Sequence, residues 1–400
     1  MTAVRVLAVA DSDSYLKWAT WTLARLHDGG PGAPEVASVV VRSPLAPTPD
    51  QVRAAVAGTG APLPAVVGPR EVGRIVAAHG PDVVLVAATG PVAELVARHV
   101  VRATRAGRRP ALVSGLPGMA LPATPRGTGW RRWSDAFVVH ARQELGPYRA
   151  AFAAHGTAPR LALARLPFLD QVPQQPDSST RIPGLPHRVV LAAQAKVPGT
   201  REDRVRLLAG LAALSDDGLE VTVKLRARAG ERQTHNEPYP LDELWAAEHR
   251  TLGRPADAVG FAVGPMADHL TPGTALLTVS STAALEAMAR GLPTVFLADF
   301  GVGPAQLNEP FADSGCLAAL DDVADVLRHG GPTPDASWCE DGYLHTGDEV
   351  ADVVRDLAAQ ARSGRLAPLR RVAPWSPPRH LWAAGRSALP VAVSARLRRA

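Results

Sequence analysis

Cysteine is almost absent from this chain. Cys316 and Cys339 are the two among 400 residues, and neither stands at metal-ligand spacing from a partner, so no thiolate metal site and no disulfide framework is predicted. Lysine is nearly as scarce: Lys17, Lys196 and Lys224 are three among 43 basic residues, and the rest are arginine. No Lys/Arg block interleaved with aromatics dominates the body of the chain, which argues against nucleic acid as a partner. No stretch approaches eighteen uninterrupted apolar residues, so no transmembrane helix is expected. The start, Met1-Thr-Ala-Val-Arg-Val-Leu7, leads straight into a strand pattern without a signal-peptide pattern, and the expected location is the cytoplasm. Glycine fingerprints are missing too. Thr89-Gly90-Pro91 and Ser114-Gly-Leu-Pro-Gly118 fit neither dinucleotide nor P-loop spacing.

What is present is a two-domain quantity of apolar residues. Hydrophobic residues make up 46% of 400, more chain than one core usually serves. The net charge of +5 favours anionic partners only weakly. Apolar runs alternate with helical periodicity: strands at 4–10, 36–41, 82–88, 111–114 and 135–140, with helices at 14–26, from 50, at 71–79, 92–105 and 141–152. Such alternation predicts a parallel sheet covered on both faces. The polar, Pro-rich stretch 171–186 reads as a linker. A second series follows, with strands at 188–193, 219–225, 258–263, 276–279 and 294–297. The predicted organisation is therefore 1–170, a linker 171–186, 187–362, and a basic Pro/Trp-containing tail 363–400.

Open α/β sheets bind ligands at the carboxyl ends of their strands, so residues there are the candidates. After the first strand stand Asp11 and Asp13, two carboxylates that suit acid/base work; Asp13 equally suits a helix cap. After the strand at 276–279 come Ser280, Ser281 and Thr282, heading a predicted helix that Gly291 and Pro293 end. Unpaired helical N–H groups and hydroxyls at that place attract an anion such as phosphate, although an ordinary N-cap uses the same residue types. Glu286 is not at capping-box spacing from any of the three hydroxyls. Lys224 and Arg226 place two cations at the end of a buried strand, which is costly without a purpose or a rim position.

The run Ser280-Ser281-Thr282-Ala-Ala-Leu-Glu286-Ala-Met-Ala-Arg-Gly291-Leu-Pro293 resembles the donor-binding segment of GT-B glycosyltransferases. It looks closest to the bacterial sialyl-, polysialyl- and Kdo-transferases and to the CDP-glycerol glycerophosphotransferases, whose Ser-Ser-Ser/Thr turn holds donor phosphate. The whole chain is similar to an actinobacterial family of glycosyltransferases. The resemblance implies a GT-B fold, two Rossmann-like parallel-sheet domains facing a cleft, with the acceptor on the first and the nucleotide donor on the second. It further implies that the loop carrying Lys196, Gly199 and Thr200 approaches donor phosphate, and that Arg126, Trp130 and Arg131 border an acceptor that is anionic or lipid-linked. Related enzymes carry a Lys-x-His-Pro motif near Lys224. Here Arg226 stands near the expected His and Pro is absent, leaving His235 as the nearest imidazole.

The resulting expectation is a metal-independent glycosyltransferase without a cofactor, moving a sugar from a nucleotide-activated donor, cytidine favoured, to a hydroxyl acceptor. Asp13 or Asp11 would be the base. Two alternatives stay open: a nucleotide-sugar 2-epimerase of the same fold, and an inactive nucleotide-binding or scaffold protein. The tail, with Arg370, Arg371, Arg379, Arg386, Arg396, Arg398, Arg399, Trp375, Leu381 and Trp382, either braces the first domain or lies peripherally on an anionic bilayer.

Overall fold

Side-chain alternation in the first strand shows how one sheet serves two cores. In β1 (Arg5–Ala10), Val6, Ala8 and Ala10 enter one buried cluster while Leu7 and Val9 enter another, as the two-residue period of a strand requires. The computed structural model describes residues 3–27, 33–105, 107–171, 185–226, 237–369 and 374–388. His235 and most of the expected linker lie outside the described residues.

The chain forms two compact units, Met1–Pro167 with Thr346–Ala400, and Phe168–His345. In the first, β1 is followed by α1 (Asp13–His27), β2 (Glu35–Val41), α2 (Pro49–Val56), β3 (Ala65–Val67), α3 (Pro69–His79), β4 (Val83–Ala87) and α4 (Gly90–Ala103). Then come β5 (Ala111–Gly115), α5 (Pro125–Gly129), β6 (Ala136–Val139), α6 (Arg142–Ala153) and β7 (Arg160–Leu163). The seven strands are parallel in the order β3-β2-β1-β4-β5-β6-β7. Leu16, Ala19 and Leu23 of α1 and Val52 of α2 cover one face. Val72 and Val76 of α3, with Val92, Val96 and Val100 of α4, cover the other.

The second unit runs β8 (Arg188–Ala192), α7 (Arg201–Asp216), β9 (Glu220–Lys224), α8 (Leu241–Glu248), β10 (Gly260–Ala262), β11 (Thr274–Thr278) and α9 (Ala283–Ala289). It continues with β12 (Thr294–Leu297), β13 (Leu317–Ala318), α10 (Val323–Arg328) and α11 (Ala336–Asp341). Its six parallel strands are ordered β10-β9-β8-β11-β12-β13. Leu207, Leu208 and Leu211 of α7 pack with Val189, Leu191, Ala275, Leu277 and Val295 on one face. On the other, Phe296 stacks on Phe311 at 3.9 Å, with Trp338 beside it.

The expected boundary at 362 is corrected to 345. The chain returns through an antiparallel bridge between Ala164 and Asp348 and an Arg25–Asp348 ion pair of 2.7 Å. Helix α12 (Val350–Arg362) then buries Val350, Val353, Val354, Leu357 and Ala358 in the cluster that α1 also fills. Its end is fixed by Arg362, which donates to the buried Asp82 at 2.7 Å and to the Ala3 carbonyl at 2.6 Å. Among the expected tail residues, α13 (Pro377–Ala388) packs on α3 and α4.

Candidate functional site

Each sheet reverses its strand order beside its first strand. In the first unit β1 leads to β2 on one side while β4 lies on the other; in the second, β8 leads to β9 while β11 lies opposite. Loops leaving such a pair diverge and open a crevice at the carboxyl edge. Most of the candidates stand at these two places.

At the first crevice, Asp11 closes the end of β1 and is fully buried. It accepts from the Thr89 N–H at 3.0 Å and from the Thr89 hydroxyl at 2.5 Å, joining the loops after β1 and β4. The Ser43 hydroxyl, after β2, donates to the Asp11 carbonyl at 2.9 Å. Burial pushes the Asp11 carboxyl up to about 6, against the pull of Thr89 and Arg131 in the other direction. A carboxylate sealed this way positions the loops and does not meet a substrate directly. Asp13 stands one step further out, in the first turn of α1, with Lys17 Nζ at 3.0 Å from its partly exposed carboxylate.

The segment after β5 corrects two expectations. Trp130 is buried, its ring edge-to-face with Trp375 at 5.0 Å, and α4 starts so close beneath it that a Cβ on Gly90 would lie 2.3 Å from the indole. Arg131 is buried as well and donates to the Ala88 carbonyl and the Tyr15 hydroxyl at 2.8 Å each, and to the Gly127 carbonyl at 3.0 Å. Neither side chain is presented to an acceptor, because a planar cation with several fixed donors is here used to hold backbone carbonyls. Arg126, on α5, is exposed.

At the second crevice the hydroxyl turn divides its work. Ser280 is buried; its N–H donates to Gln194 Oε1 at 2.8 Å and its hydroxyl to the Leu307 carbonyl. It therefore ties together the loops after β8, β11 and β12 and is corrected from a ligand to a tether. Leu307 holds a left-handed φ of 57° to present that carbonyl, a conformation costly for a residue with a Cβ. Ser281 Oγ accepts from the Ala283 N–H at 3.2 Å, while its own N–H goes to Thr278 Oγ1 at 3.1 Å. The Ser281 oxygen is thus a cap, which leaves its O–H proton to give. Thr282 is half-exposed, with no side-chain capping bond at the start of α9. That helix is seven residues long, and Gly291 and Pro293 follow its end as expected.

The candidate cations stand at the carboxyl ends of the strands next in order, since β8 neighbours β11 and β9 neighbours β8. Lys196 is exposed in the β8–α7 loop and makes no ion pair with the described residues. Gly199 is exposed beside it, and Thr200 caps α7, accepting from the Asp203 N–H at 3.0 Å and donating to its carboxylate at 2.8 Å. The Thr200 hydroxyl is thereby committed to the helix. Lys224 ends β9 half-buried and Arg226 follows it exposed. Glu286 reaches back from α9: burial raises its pKa, and Arg290 and Lys224 oppose that rise. Among the described residues no three His, Cys, Asp or Glu side chains converge as metal ligands would.

Three organising residues were not anticipated. Arg204, fully buried on α7, donates to the carbonyls of Gln194, Ala195 and Pro198 at 2.9 Å each, and pairs with Glu237 at 2.7 Å. A charge inside the apolar stripe that includes Leu207, Leu208 and Leu211 was the available signal, because a buried arginine requires partners. Gln194 is the second. Asn308, fully buried, is the third; it donates to the Gly301 carbonyl at 3.0 Å and accepts from the Gly303 N–H at 2.8 Å, closing the loop that presents Leu307.

Solved structures of the same architecture include a "putative UDP-N-acetylglucosamine 2-epimerase" from Listeria monocytogenes, with 11% identity, a TM-score of 0.59, and coverage of 92% of this chain and 99% of that one. The S. aureus protein MnaA, solved with UDP, has 9% identity, a TM-score of 0.56 and coverage of 91% and 98%. The UDP-GlcNAc 2-epimerase of Methanocaldococcus jannaschii, in complex with UDP-GlcNAc and UDP, has 10% identity, a TM-score of 0.53 and coverage of 89% and 100%. At these identities the likeness establishes the GT-B fold alone. A search of the curated proteins finds no match. The model of the family described as "Putative glycosyltransferase (DUF6716)" matches residues 6–360, and the chain belongs to that family.

Proposed function

We propose that this protein is a metal-independent glycosyltransferase whose second unit binds a nucleotide-activated sugar and whose first unit supplies the base and receives a hydroxyl acceptor. The observation that carries the reading is the Gln194–Ser280 hydrogen bond of 2.8 Å across the β8/β11 reversal. It fixes the Lys196 loop against the Ser281-Thr282 turn, with Lys224 on the adjoining strand. Hydroxyl donors and cations set at one strand edge suit the phosphates of a donor, and they stabilise the negative charge that develops on the departing nucleotide. Glu286, half-buried in α9, is the acidic partner of Lys224 and a hydrogen-bond acceptor for donor hydroxyls.

In an inverting course, Asp13 takes the proton from the acceptor hydroxyl as its oxygen attacks the anomeric carbon. The bond from that carbon to the phosphate oxygen breaks, and the electron pair leaves with the nucleotide. Asp11 keeps the loops around Asp13 in place. The likeness of the Ser-Ser-Thr segment to cytidine-nucleotide enzymes supports a cytidine donor, whereas MnaA and the Methanocaldococcus jannaschii epimerase were solved with uridine nucleotides. An acceptor that is anionic or lipid-linked fits the exposed Arg126.

Titration calorimetry with CMP, UDP, GDP and TDP tests the donor assignment, and heat from at least one of them is expected. Four flat titrations would remove the nucleotide site. Asp13→Ala should spare that binding and lower turnover by two orders of magnitude or more, roughly the contribution of a general base. A second reading, a nucleotide-sugar 2-epimerase, is favoured by the neighbours that bear that name. Labelled donor incubated alone separates the two: interconversion of the sugar nucleotide supports the epimerase, and label that moves only when an acceptor is added supports the transferase.

A further inference from the structure

Helix α13 is turned inside out for a surface helix. Its inner face against α3 and α4 carries His380, Ala383 and Ser387, all small or polar, while its largest apolar side chains, Leu381 and Trp382, are 71% and 55% exposed. Ordinary amphipathic helices bury such residues and expose the others. Of the eight tryptophans of the chain, Trp382 alone is exposed. Arg379 stands exposed beside the pair, and the Arg386 guanidinium lies 4.8 Å from the centre of the Trp382 ring.

Charge is distributed with the same bias. Residues 357–400 hold nine arginines and no Asp, Glu or Lys; with +5 for the whole chain, residues 1–356 carry a net charge of −4. All the excess positive charge of the protein therefore lies in its last 44 residues, the segment that contains α13. No helix among the described residues is long and apolar enough to cross a membrane.

We infer that α13 docks this protein on an anionic lipid bilayer, with Leu381 and Trp382 entering the headgroup boundary and Arg379, Arg386 and the arginines around them meeting lipid phosphates. Apolar and aromatic anchors flanked by arginine match that environment, where the two kinds of side chain are favoured together. A second copy of the chain fits poorly, since a two-fold contact through this face sets arginines against arginines. The inference does not depend on the transfer reading and holds for either enzyme class.

Co-sedimentation of the full-length protein with vesicles tests it, using phosphatidylcholine alone and phosphatidylcholine mixed with phosphatidylglycerol. Binding is expected to the mixed vesicles only, and to weaken as salt is raised. Leu381→Ser with Trp382→Ser should weaken it about tenfold or more, from the loss of two buried apolar side chains. Arg379→Gln should weaken it about fivefold. All three residues lie on the solvent side of the helix, so an unchanged melting temperature is the accompanying control. No sedimentation with the mixed vesicles, or equal sedimentation of the wild type and the Leu381/Trp382 variant, overturns the inference. Retention of a single-stranded oligonucleotide that competes fully with vesicles, or a dimer that the Trp382 substitution dissociates, would reassign the face and equally overturn it.

Discussion

Three hydroxyls in a row look equivalent in the sequence, and so do the two carboxylates after the first strand; what separates them is where each polar atom is already spent. Ser280 gives its proton to the Leu307 carbonyl, whereas Ser281 only accepts, from the Ala283 N–H. Ser281→Ala should therefore weaken nucleotide binding by about 1 kcal/mol or more, the range of a hydrogen bond to a charged group. Ser280→Ala should release the Leu307 carbonyl from the hydroxyl turn and lower stability by about 0.5–1.5 kcal/mol, the net worth of one hydrogen bond. Calorimetric binding and urea unfolding of both variants separate the roles, and equal affinity of wild type and Ser281→Ala would take that residue out of the site. Asp11 is distinguished by pH. Its carboxyl is held at about 6 against an ordinary 3.8, so the folded protein keeps a proton that the unfolded chain has released. The stability linked to that proton is complete below about pH 4 and is lost as pH rises through about 6, a change of about 3 kcal/mol for two pKa units. Asp11→Asn should accordingly gain on the wild type in urea unfolding between pH 4 and 7. A stability difference that stays constant over that range would show that the carboxyl is not held protonated. None of these distinctions was legible in the sequence, because the partner of Ser280 lies 27 residues away and that of Asp11 lies 78 away.

Elements were read from the sequence far better than the contacts between them. Apolar runs announced β1, β4, β5, β6, β8, β11 and β12, whose side chains are buried on two faces and leave a nearly unbroken hydrophobic signature, while β2 and β9 showed it in part or by alternation and β10 lay within the run 258–263. The strands that escaped were β3, β7 and β13, of two to four residues each, too short for a period to show. Helix α12 lies within the expected second domain, 187–362, and belongs to the first unit instead: an apolar stripe of Val350, Val353, Val354 and Leu357 specifies a buried face without naming the sheet beneath it. The arginine and tryptophan cluster at 126–133 was misread for a related reason. Residue type predicts exposure for an average arginine, but Arg131 has three acceptors waiting for it. The same physics makes Arg204 a point of failure for the β8–α7 loop. Arg204→Met should strand Glu237 and the carbonyls of Gln194, Ala195 and Pro198, costing about 3–5 kcal/mol as broken buried pairs do. Arg204→Lys should recover only part of it, because an ammonium cannot span the same fork of acceptors. Thermal unfolding of the two variants orders them, and a Lys variant as stable as the wild type would mean the fork is not needed.

At the scale of the molecule, the buried cluster around β1 and the one around β8 are, among the described residues, each drawn from a single unit. Val6, Leu16, Leu85 and Leu357 belong to the first unit, and Val189, Leu207, Leu277 and Val323 to the second. Perturbations placed in different cores without common partners should then add. Leu357→Ala opens a cavity beneath the first sheet and should cost about 2–5 kcal/mol there. A bound nucleotide acts elsewhere: at a hundredfold excess over its Kd it stabilises the folded state that holds it by about 2.7 kcal/mol, and on the present reading that state is the second unit. Amide hydrogen exchange followed by mass spectrometry resolves the two effects along the chain. Nucleotide should slow exchange in peptides covering 188–200 and 274–289 in wild type and Leu357→Ala alike, while the substitution should speed exchange in peptides covering 5–27 and 350–362 whether or not nucleotide is present. Protection by nucleotide that appears instead in the first unit would move the donor site to the Asp11 crevice and reverse the roles assigned to the two sheets.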